Sequence, residues 1–381
     1  MERIVIIGAN SFQNRLILKA KELGYETHVF AWQCGDVGEK TADHFYPISI
    51  TEKEEILKVC REIQPAAVCS VASDLAVLTV NYVARNLGLP CNSARCDVIA
   101  TNKFEMRNAL EAAGVRTPRH IKVYGTDFDR SKLDRLNFPI IVKPTDRSGS
   151  RAIYELFSKD GLEEAVKDAV GQSFEKAAII EEYIEGNEYS CECISYHGKH
   201  HFLALTEKHT TGAPHYIETG HVEPANISPE ICEKIRQTVF KALDALEISD
   251  SASHAEFKLD SKGNVGIIEI GARMGGDCIG SDLVYLSTGN DFLRMVIDVA
   301  RGKEPELVKE PEQQVAAIRF IMNTKDLEIL ERAKKQFRME FVSDIEKVDH
   351  AVVDSSTRLG YFIVTTKDYG KVEEVLFGNN K

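Results

Sequence analysis

The sequence lacks the long apolar segments of membrane proteins. No hydrophobic run approaches the ~20 residues that cross a bilayer, and the first residues enter a strand-like segment without a signal-peptide pattern. Repeated and compositionally biased stretches are also missing, so a solenoid is not expected. We therefore expect a cytoplasmic protein of ordinary globular composition that does not bind a membrane.

Two further absences limit the sites and partners. The nine cysteines include no C-x-x-C pair, so neither a zinc site nor a redox pair is expected. Cys191 and Cys193 would share one face of a strand, where packing explains them better than metal ligation. Basic residues are outnumbered, and a formal net charge of -12 disfavours nucleic-acid binding, which relies on clustered lysine and arginine. The expected partners are small molecules.

The chain of 381 residues is longer than one hydrophobic core usually supports. An apolar run at Ile4–Ile7 ends in Gly8, and helix-like and strand-like stretches then alternate to about residue 95. This alternation predicts a doubly wound α/β domain, and the later segments predict α+β units. The first unit is expected to end near residue 95, strands with charged hairpins follow to about residue 200, and a second α+β block precedes a smaller unit over residues 313–381.

Gly8 is followed by Ala9 and Asn10, so the full G-x-G-x-x-G fingerprint of dinucleotide sites is absent. We do not expect NAD. A tight strand-to-helix turn explains Gly8, although the helix that follows could still receive an anionic group of a substrate at Gly8 or Asn10.

A charged hairpin gives the strongest local signal. Residues 254–260 and 265–270 have the pattern of two strands joined by a tight turn. A turn centred between Lys262 and Gly263 places Glu256 directly opposite Glu269. Opposed carboxylates lie ~5 Å apart between Cβ atoms and repel each other unless something offsets their charge.

A divalent cation would offset that repulsion, and Mg²⁺ commonly takes one or two carboxylates together with substrate phosphates. The alternative is a pair of exposed glutamates on a solvated sheet face. The metal is favoured because Glu269 ends an apolar strand and leads into the loop Gly271–Gly276, which would place Arg273 beside the ion.

A lysine also ends an apolar strand at Phe138–Pro144. Lys143 would need a partner when it leaves a buried strand, and the small-residue turn Thr145–Ser150 could bind phosphates through backbone N–H groups. The alternative left open is a lysine that reaches solvent beside a surface hairpin.

The segment Ala178–Tyr189 has the pattern of a strand, a glycine-bearing connector and a second strand. Such a connector can act as a hinge whose backbone reads an adenine edge, and a carboxylate at its end can accept hydrogen bonds from ribose hydroxyls. An acidic solvated turn is the alternative for this segment alone.

In this order, the segments resemble the ATP-grasp superfamily, whose ligases hold ATP between two α+β subdomains. The resemblance covers nearly the whole chain and includes Thr101–Arg107 and Val142–Pro144. It implies a Rossmann-like pre-ATP-grasp domain over 1–95, subdomain A with the phosphate lid over 96–185, subdomain B with the metal site over 186–310, and a small C-terminal unit over 311–381.

The resemblance also implies roles for individual residues. ATP phosphates would be contacted by Lys103 and Lys143 and covered by a lid of Ser148, Gly149 and Ser150. Adenine would be held by Glu181 with the backbone of Glu182, Tyr183 and Ile184, and ribose by Glu188. Glu256 and Glu269 would bind one or two Mg²⁺ ions, for which Mn²⁺ could substitute, and Arg273 would act with Lys143 in catalysis.

One position departs from the family pattern. The residue two after the second metal glutamate is often asparagine, and here it is Gly271. A backbone carbonyl or water would have to replace that ligand, or a second ion would be held more loosely.

A finer resemblance, to the L-amino acid ligases that make dipeptides, rests on Glu269–Asp277 and on the polar segment Thr210–Pro224. It implies that a substrate carboxylate is phosphorylated by ATP and that an amine, from an amino acid for example, captures the acyl phosphate. His215 or His221 would lie near this chemistry, unless they are surface residues. A homodimer is a further expectation.

Two alternatives to this function are kept open. One is an ATP-dependent carboxylation-type enzyme of nucleotide biosynthesis, and the other is a nucleotide-binding protein that has lost catalysis. The joint presence of Glu256, Glu269, Lys143 and Arg273 argues against the second alternative.

Overall fold

The computed structural model describes residues 1–149, 151–212, 216–309 and 314–378, whose strands form three sheets. The N-terminal sheet is parallel, with the order β3-β2-β1-β4. Its strands are β1 (Arg3–Ile7), β2 (Glu26–Phe30), β3 (His44–Tyr46) and β4 (Ala67–Cys69). Its helices are α1 (Ser11–Glu22), α2 (Val37–Thr41), α3 (Lys53–Ile63) and α4 (Asp74–Leu87).

The second sheet, called the middle sheet here, is antiparallel in the order β5-β8-β6-β7. It follows two helices, α5 (Ala94–Ile99) and α6 (Lys103–Ala112). Its strands are β5 (His120–Val123), β6 (Ile140–Pro144), β7 (Tyr154–Leu156) and β8 (Ala178–Glu182), and α7 (Leu162–Gln172) packs on it. A 3-10 helix at Arg130–Arg135 connects β5 and β6.

The third sheet, the large sheet, is antiparallel with eight strands in the order β13-β12-β9-β10-β11-β14-β16-β15. Its strands are β9 (Asn187–Tyr196), β10 (Lys199–Thr210), β11 (Glu218–Glu223), β12 (Ser251–Leu259), β13 (Val265–Gly271), β14 (Val315–Ile321), β15 (Arg338–Val342) and β16 (Gly360–Thr366). Its helices are α8 (Pro229–Ala245), α9 (Val284–Thr288), α10 (Phe292–Ala300), α11 (Thr324–Gln336) and α12 (Tyr369–Val372), with π-helical turns at Ile279–Leu283 and Glu373–Phe377 and a 3-10 turn at Ser355–Thr357.

The local sequence explains where several helices begin and end. Asn10 caps α1 by accepting hydrogen bonds from the amides of Phe12 and Gln13, and Ser73 caps α4 in the same way through Ala76. Gly88 ends α4 in the left-handed conformation that glycine adopts without strain. Gly8 has a φ of +103°, which agrees with the tight turn expected between β1 and α1.

The cores connect segments that are distant in the chain. Although α5 and α6 precede the middle sheet, they pack with α8 against β9, β12 and β13 of the large sheet. The C-terminal strands extend the same sheet, because β11 pairs with β14. The predicted α/β and α+β class is confirmed, and the four limits given above for its units stay a proposal.

All of the cysteines except the exposed Cys34 belong to or pack against the hydrophobic cores. All nine lie among the described residues and are free thiols. Cys191 and Cys193 share one buried core, with their Sγ atoms 3.6 Å apart, as expected for neighbours on one face of a strand. Across the described ranges, every helix is too short or too polar to cross a bilayer.

Gly220 offers a test of how the C-terminal strands join the large sheet. It pairs with Arg319 across β11 and β14, and a Cβ added there would lie 2.4 Å from the Ile318 carbonyl oxygen. We predict that Gly220→Ala lowers the free energy of unfolding by about 1–3 kcal/mol, the cost of overpacking, measured by urea denaturation. Gly171→Ala in α7, where an added Cβ meets open space among the described residues, should be neutral or stabilising. Equal midpoints for the Gly220 variant and the parent would contradict the prediction.

Candidate active site

A cleft of about 360 Å³ lies between the middle sheet and the large sheet. It brings together every described residue to which the ATP-grasp resemblance gave a role in binding or catalysis. These are Lys103, Lys143, Ser148, Gly149, Glu181, Glu182, Tyr183, Ile184, Glu188, Glu256, Glu269 and Arg273. Gly8 and Asn10, the candidate anion contacts after β1, are not among its lining residues. Ser150 and His215 lie outside the described residues.

The two candidate metal ligands are direct partners across β12 and β13, as predicted. The predicted centre of the turn is wrong, because Asp260 pairs with Asn264 around a three-residue loop and Phe257 therefore pairs with Ile267. This register alone would place Glu256 opposite Ile268. A β-bulge between Glu256 and Phe257 shifts it by one residue and places Glu256 opposite Glu269.

Each of these carboxylates is bound by a lysine. Lys208 Nζ lies 2.5 Å from Glu256 Oε1, and Lys103 Nζ lies 2.9 Å from Glu269 Oε1. Burial would raise the pKa of Glu256, but Lys208 and His254 lower this pKa well below its usual range. Two neighbouring carboxylates, of which Glu256 is held ionised, form an all-oxygen donor set that fits Mg²⁺.

Lys143 belongs to a buried ion cluster. Its Nζ lies 2.6 Å from Glu181 Oε1, and the guanidinium of Arg107 binds the same carboxylate through Nε at 2.9 Å. Burial would raise the pKa of Glu181, but Arg107 and Lys143 lower it to about 2. Burial lowers the pKa of Lys143, and Glu181 opposes that shift. Glu181 therefore holds Lys143 in place and favours its charged form. Glu181 is the partner that a lysine at the end of a buried strand was expected to need.

Arg273 is held by a residue of the N-terminal domain. Its Nε and Nη2 atoms bind the carboxylate of Asp74 at 2.8 and 3.0 Å. This pair also explains the departure at Gly271, because a Cβ there would lie 2.8 Å from Asp74 Oδ1 and 3.1 Å from the Arg273 side chain. An asparagine at this position would require the Asp74 carboxylate and its contact with Arg273 to shift.

The phosphate-lid and hinge segments border the same cleft. The carbonyl of Arg147 accepts a hydrogen bond from Lys103 Nζ at 2.8 Å, which ties the loop before β7 to the floor of the cleft. In the hinge, the Tyr183 amide donates to Pro139, and its hydroxyl lies 2.8 Å from Lys258 Nζ. Apolar side chains from both sheets could enclose a planar base. They are Pro118, Ile141, Ile153, Ile184 and Ile268.

Several charged residues of the cleft were missed in the sequence. Lys208 contacts three carboxylates, with Nζ–O distances of 2.9 Å to Glu188, 2.5 Å to Glu256 and 3.9 Å to Glu218. Lys208 follows Thr206 and Glu207 in a strand of mixed polar and apolar residues, so the apolar run that identified Lys143 is missing before it. Arg358, from the loop before β16, binds Asp277 at 2.6 Å.

The structure corrects one alternative. His221 lies on β11 with 1% of its surface exposed, so its interpretation as a surface loop residue is wrong. It lines the cleft with Nε2 3.7 Å from Asp277 Oδ2, and neither ring nitrogen has a hydrogen-bond partner among the described residues. Burial lowers the pKa of His221, which favours the neutral ring at pH 7.

Comparisons with known proteins agree with this architecture. Residues 136–282 match the family model of the ATP-grasp domain. Alanine–anticapsin ligase of Bacillus subtilis is 25% identical over 277 residues, which is 67% of this chain and 58% of that protein. The chain thus spans a little over half the length of this curated relative.

Solved structures share the fold over nearly the whole chain. The L-amino acid ligase of Bacillus licheniformis has a TM-score of 0.82 at 22% identity, over 99% of this chain and 96% of that one. An ADP complex of N5-carboxyaminoimidazole synthetase from Staphylococcus aureus has a TM-score of 0.79 at 16% identity, over 99% and 96%. The predicted ATP-grasp fold and the resemblance to ATP-grasp carboxylate–amine ligases are confirmed.

The ion cluster around Glu181 gives a stability prediction. Glu181→Gln leaves the fully buried Arg107 without its ionic partner, which we expect to cost about 3–5 kcal/mol of unfolding free energy. Glu233→Gln, which breaks an exposed pair with Arg236 on α8, should leave the thermal midpoint nearly unchanged.

The pH dependence of the difference in unfolding free energy between the parent and Glu181→Gln distinguishes the loss of charge from the loss of packing. The pKa of Glu181 is about 2 in the folded protein against about 4.3 in an unfolded chain. Its ionic contribution is therefore complete above pH 4.3 and declines as the pH falls towards 2. The stability gap between parent and Glu181→Gln, measured by urea denaturation from pH 7 to 3.5, should narrow below pH 4.5. A constant gap would show that the loss arises from packing alone.

Proposed function

We propose that this ATP-grasp chain is an ATP- and magnesium-dependent carboxylate–amine ligase, which forms an amide bond through an acyl phosphate. The observation that carries the proposal is the pair Glu256–Glu269, held across the cleft from Lys143 and beside Arg273. The similarity to alanine–anticapsin ligase supports an amine as the second substrate.

The bound nucleotide would lie between the two sheets. Its base would contact the apolar side chains of the cleft and the hinge backbone at Glu182–Ile184, with Glu188 near the ribose. Lys103, Lys143 and the lid at Ser148–Gly149 would surround the phosphates. Lysines suit this role because a buried ammonium group attracts phosphate strongly where water is excluded.

Glu256 and Glu269 are the residues that would hold Mg²⁺, or Mn²⁺ in its place. When bound, the metal neutralises phosphate charge and polarises the γ-phosphoryl group. The two glutamates would then exchange their lysine partners for the ion, and Lys103 and Lys208 would become available to phosphate oxygens or to a substrate carboxylate.

The chemistry would proceed in two displacements. An oxygen of the substrate carboxylate attacks the γ-phosphorus of ATP. The bond between the γ-phosphorus and the oxygen that bridges it to the β-phosphorus breaks, and ADP is the leaving group. Lys143 would lie near the transferred phosphoryl group. The amine nitrogen then attacks the acyl carbon, the carbon–oxygen bond to phosphate breaks, and the amine loses a proton. Arg273 would stabilise the negative charge that develops on the carbonyl oxygen in the second step.

His221 is a candidate acceptor for the proton of the amine. It is buried, lines the cleft beside Asp277 and favours the neutral form, which can accept a proton. Burial lowers the pKa of His221 because it removes water from the ring, and this loss of water disfavours the charged imidazolium form.

The reaction is tested by measuring phosphate release from ATP and Mg²⁺ over an array of amino acids, singly and in pairs. We expect release that requires two amino acids and a product with a new amide bond, seen by mass spectrometry. Glu269→Gln should abolish release, because it removes one of the two candidate metal carboxylates. Glu233→Gln on the surface of α8 should retain it.

Two outcomes would redirect the proposal. Release that requires bicarbonate and an aminoimidazole nucleotide would favour the carboxylation-type alternative. ATP binding without phosphate release across amino acids and other carboxylates would favour a nucleotide-binding protein without catalysis.

The contact between Asp74 and Arg273 predicts a split between binding and turnover. Asp74→Asn removes the charge that holds Arg273, so we expect kcat to fall while the KM for ATP changes little. The loss should be smaller than the about 10²–10³-fold expected for Arg273→Ala, which removes the stabilising group itself. Steady-state kinetics with the substrates found in the array provide the measurement.

A double variant distinguishes positioning from an independent role. If Asp74 acts through Arg273, then Asp74→Asn should cause no further loss in an Arg273→Ala background. Asp168→Asn, which removes a carboxylate that bonds Tyr154 at the surface, is the matched control. Additive losses in the double variant would show that Asp74 contributes by another route.

A further inference from the structure

Two histidines and a glutamate lie together on the N-terminal sheet. Glu26 and His28 are two residues apart on β2, so their side chains share one face of the sheet. His44 is the register partner of His28 on the neighbouring strand β3, and the two imidazole rings stack with centroids 4.5 Å apart. This arrangement brings the three side chains to one point at an edge of the sheet.

Their donor atoms are close enough to share one ion. His44 Nε2 lies 2.8 Å from Glu26 Oε1, and His28 Nε2 lies 3.5 Å from the same oxygen. One potential ligand atom from each residue lies within 4.8 Å of the other two. Half of the His44 side chain is exposed, so its ring can rotate to complete the geometry.

His28 adds a second, independent observation. It is 6% exposed, and its buried Nε2 atom has no hydrogen-bond partner among the described residues although it faces Glu26. A buried polar nitrogen without a hydrogen bond is costly, and a metal ion at this point would satisfy it.

The other nitrogen of His28 is oriented by a neighbouring side chain. Nδ1 lies 2.9 Å from the hydroxyl of Tyr46. When Nδ1 carries the proton and donates to the Tyr46 oxygen, Nε2 presents its lone pair towards Glu26 and His44. Metal-binding histidines are usually held by such a hydrogen bond from the second ring nitrogen.

The cluster is separate from the cleft. The strands of the N-terminal sheet are parallel, and their carboxyl ends face the large sheet, where the Ala72 amide after β4 donates to Met274. Glu26 and His44 are the first residues of β2 and β3 and therefore lie at the opposite, amino-terminal edge. The nearby Arg3, 3.8 Å from Glu26 and half-exposed, competes for this carboxylate and should moderate the affinity.

We propose that Glu26, His28 and His44 form a binding site for a divalent transition-metal ion, with Zn²⁺ as the best fit. The two imidazole nitrogens favour Zn²⁺ over Mg²⁺, the carboxylate is a ligand that Zn²⁺ also accepts, and three protein ligands leave a fourth position for water or another ligand. The site is independent of the proposed ligase reaction and of the Mg²⁺ ligands Glu256 and Glu269.

The test is isothermal titration of the untagged full-length protein with Zn²⁺ in a buffer that contains excess Mg²⁺. We expect one Zn²⁺ ion per chain at this site. Loss of a residue that only orients a metal ligand weakens metal binding by about 10–100-fold. His44→Gln removes a ligand itself, so we expect it to weaken Zn²⁺ binding by more than that. His350→Gln, a change to an exposed histidine that pairs with Asp349, should bind as the parent does.

Two further variants separate this site from folding and from the cleft. Tyr46→Phe keeps all three ligands and should weaken Zn²⁺ binding by about tenfold through the orientation of His28. Glu269→Gln alters the cleft and should leave this Zn²⁺ affinity unchanged. Thermal denaturation in the presence of a chelator should give the same midpoint for parent and His44→Gln, since His44 is half-exposed.

The outcome that overturns the proposal is specific. Zn²⁺ binding that persists at full strength in both His44→Gln and Glu26→Gln, or that disappears only in Glu269→Gln, would place the ion elsewhere. An absence of Zn²⁺ binding by the parent protein would refute the site outright.

Discussion

The contact between two opposed carboxylates and two buried lysines organises the cleft. Glu256 and Glu269 face each other across adjacent strands, where their like charges would repel. Lys208 and Lys103 relieve that repulsion from opposite sides, and each lysine comes from a different element, β10 and α6. Because an unpaired buried charge costs several kcal/mol, the two buried lysines depend on these glutamates as partners.

Charge pairing of this kind extends through the cleft and joins all parts of the fold. Asp74, at the start of α4, reaches Arg273 after β13, and Arg358, before β16, reaches Asp277. The first pair connects the N-terminal sheet to the large sheet, and the second connects the C-terminal strands to the loop that follows Arg273. Lys143 and Arg273, the two catalytic candidates, are each bound by a carboxylate from another segment of the chain. That contact restricts the movement of a long, flexible side chain.

The sequence predicted the elements and the local pairs well, for physical reasons. The apolar alternation around Glu256 and Glu269 defines two strands, and the strand-ending Lys143 required a buried partner. The correct opposition of the two glutamates depended on a β-bulge, however, which compensates for a turn that is centred on Lys262 and not between Lys262 and Gly263. A bulge is a response to packing on both sides of a strand, and a pattern read along one chain does not contain that information.

The residues missed by sequence reasoning are those whose partners are far away in the chain. Asp74 lies in an ordinary first helical turn, where a carboxylate is explained by the helix dipole alone, and only the fold brings it to Arg273, 199 residues later. His221 appeared to lie in a polar loop, and the pairing of β11 with both β10 and β14 is what buries it. Non-local pairing of this kind has no signature in the periodicity of a short segment.

Gly271 shows how a local departure can be explained by a distant contact. In the family pattern an asparagine often occupies this position, and here the side chain is absent while Asp74 Oδ1 lies 2.8 Å from where its Cβ would be. The carboxylate oxygens of Asp74 therefore lie close to the space that an asparagine side chain would take. They belong to the N-terminal domain, and both accept hydrogen bonds from Arg273. The same carboxylate thus holds an arginine, which leaves Glu256 and Glu269 as the proposed metal ligands. Lys103 extends this logic to the lid, because it binds both Glu269 and the carbonyl of Arg147. Lys103 therefore connects one of the two opposed carboxylates directly to the loop before β7 through a single ammonium group.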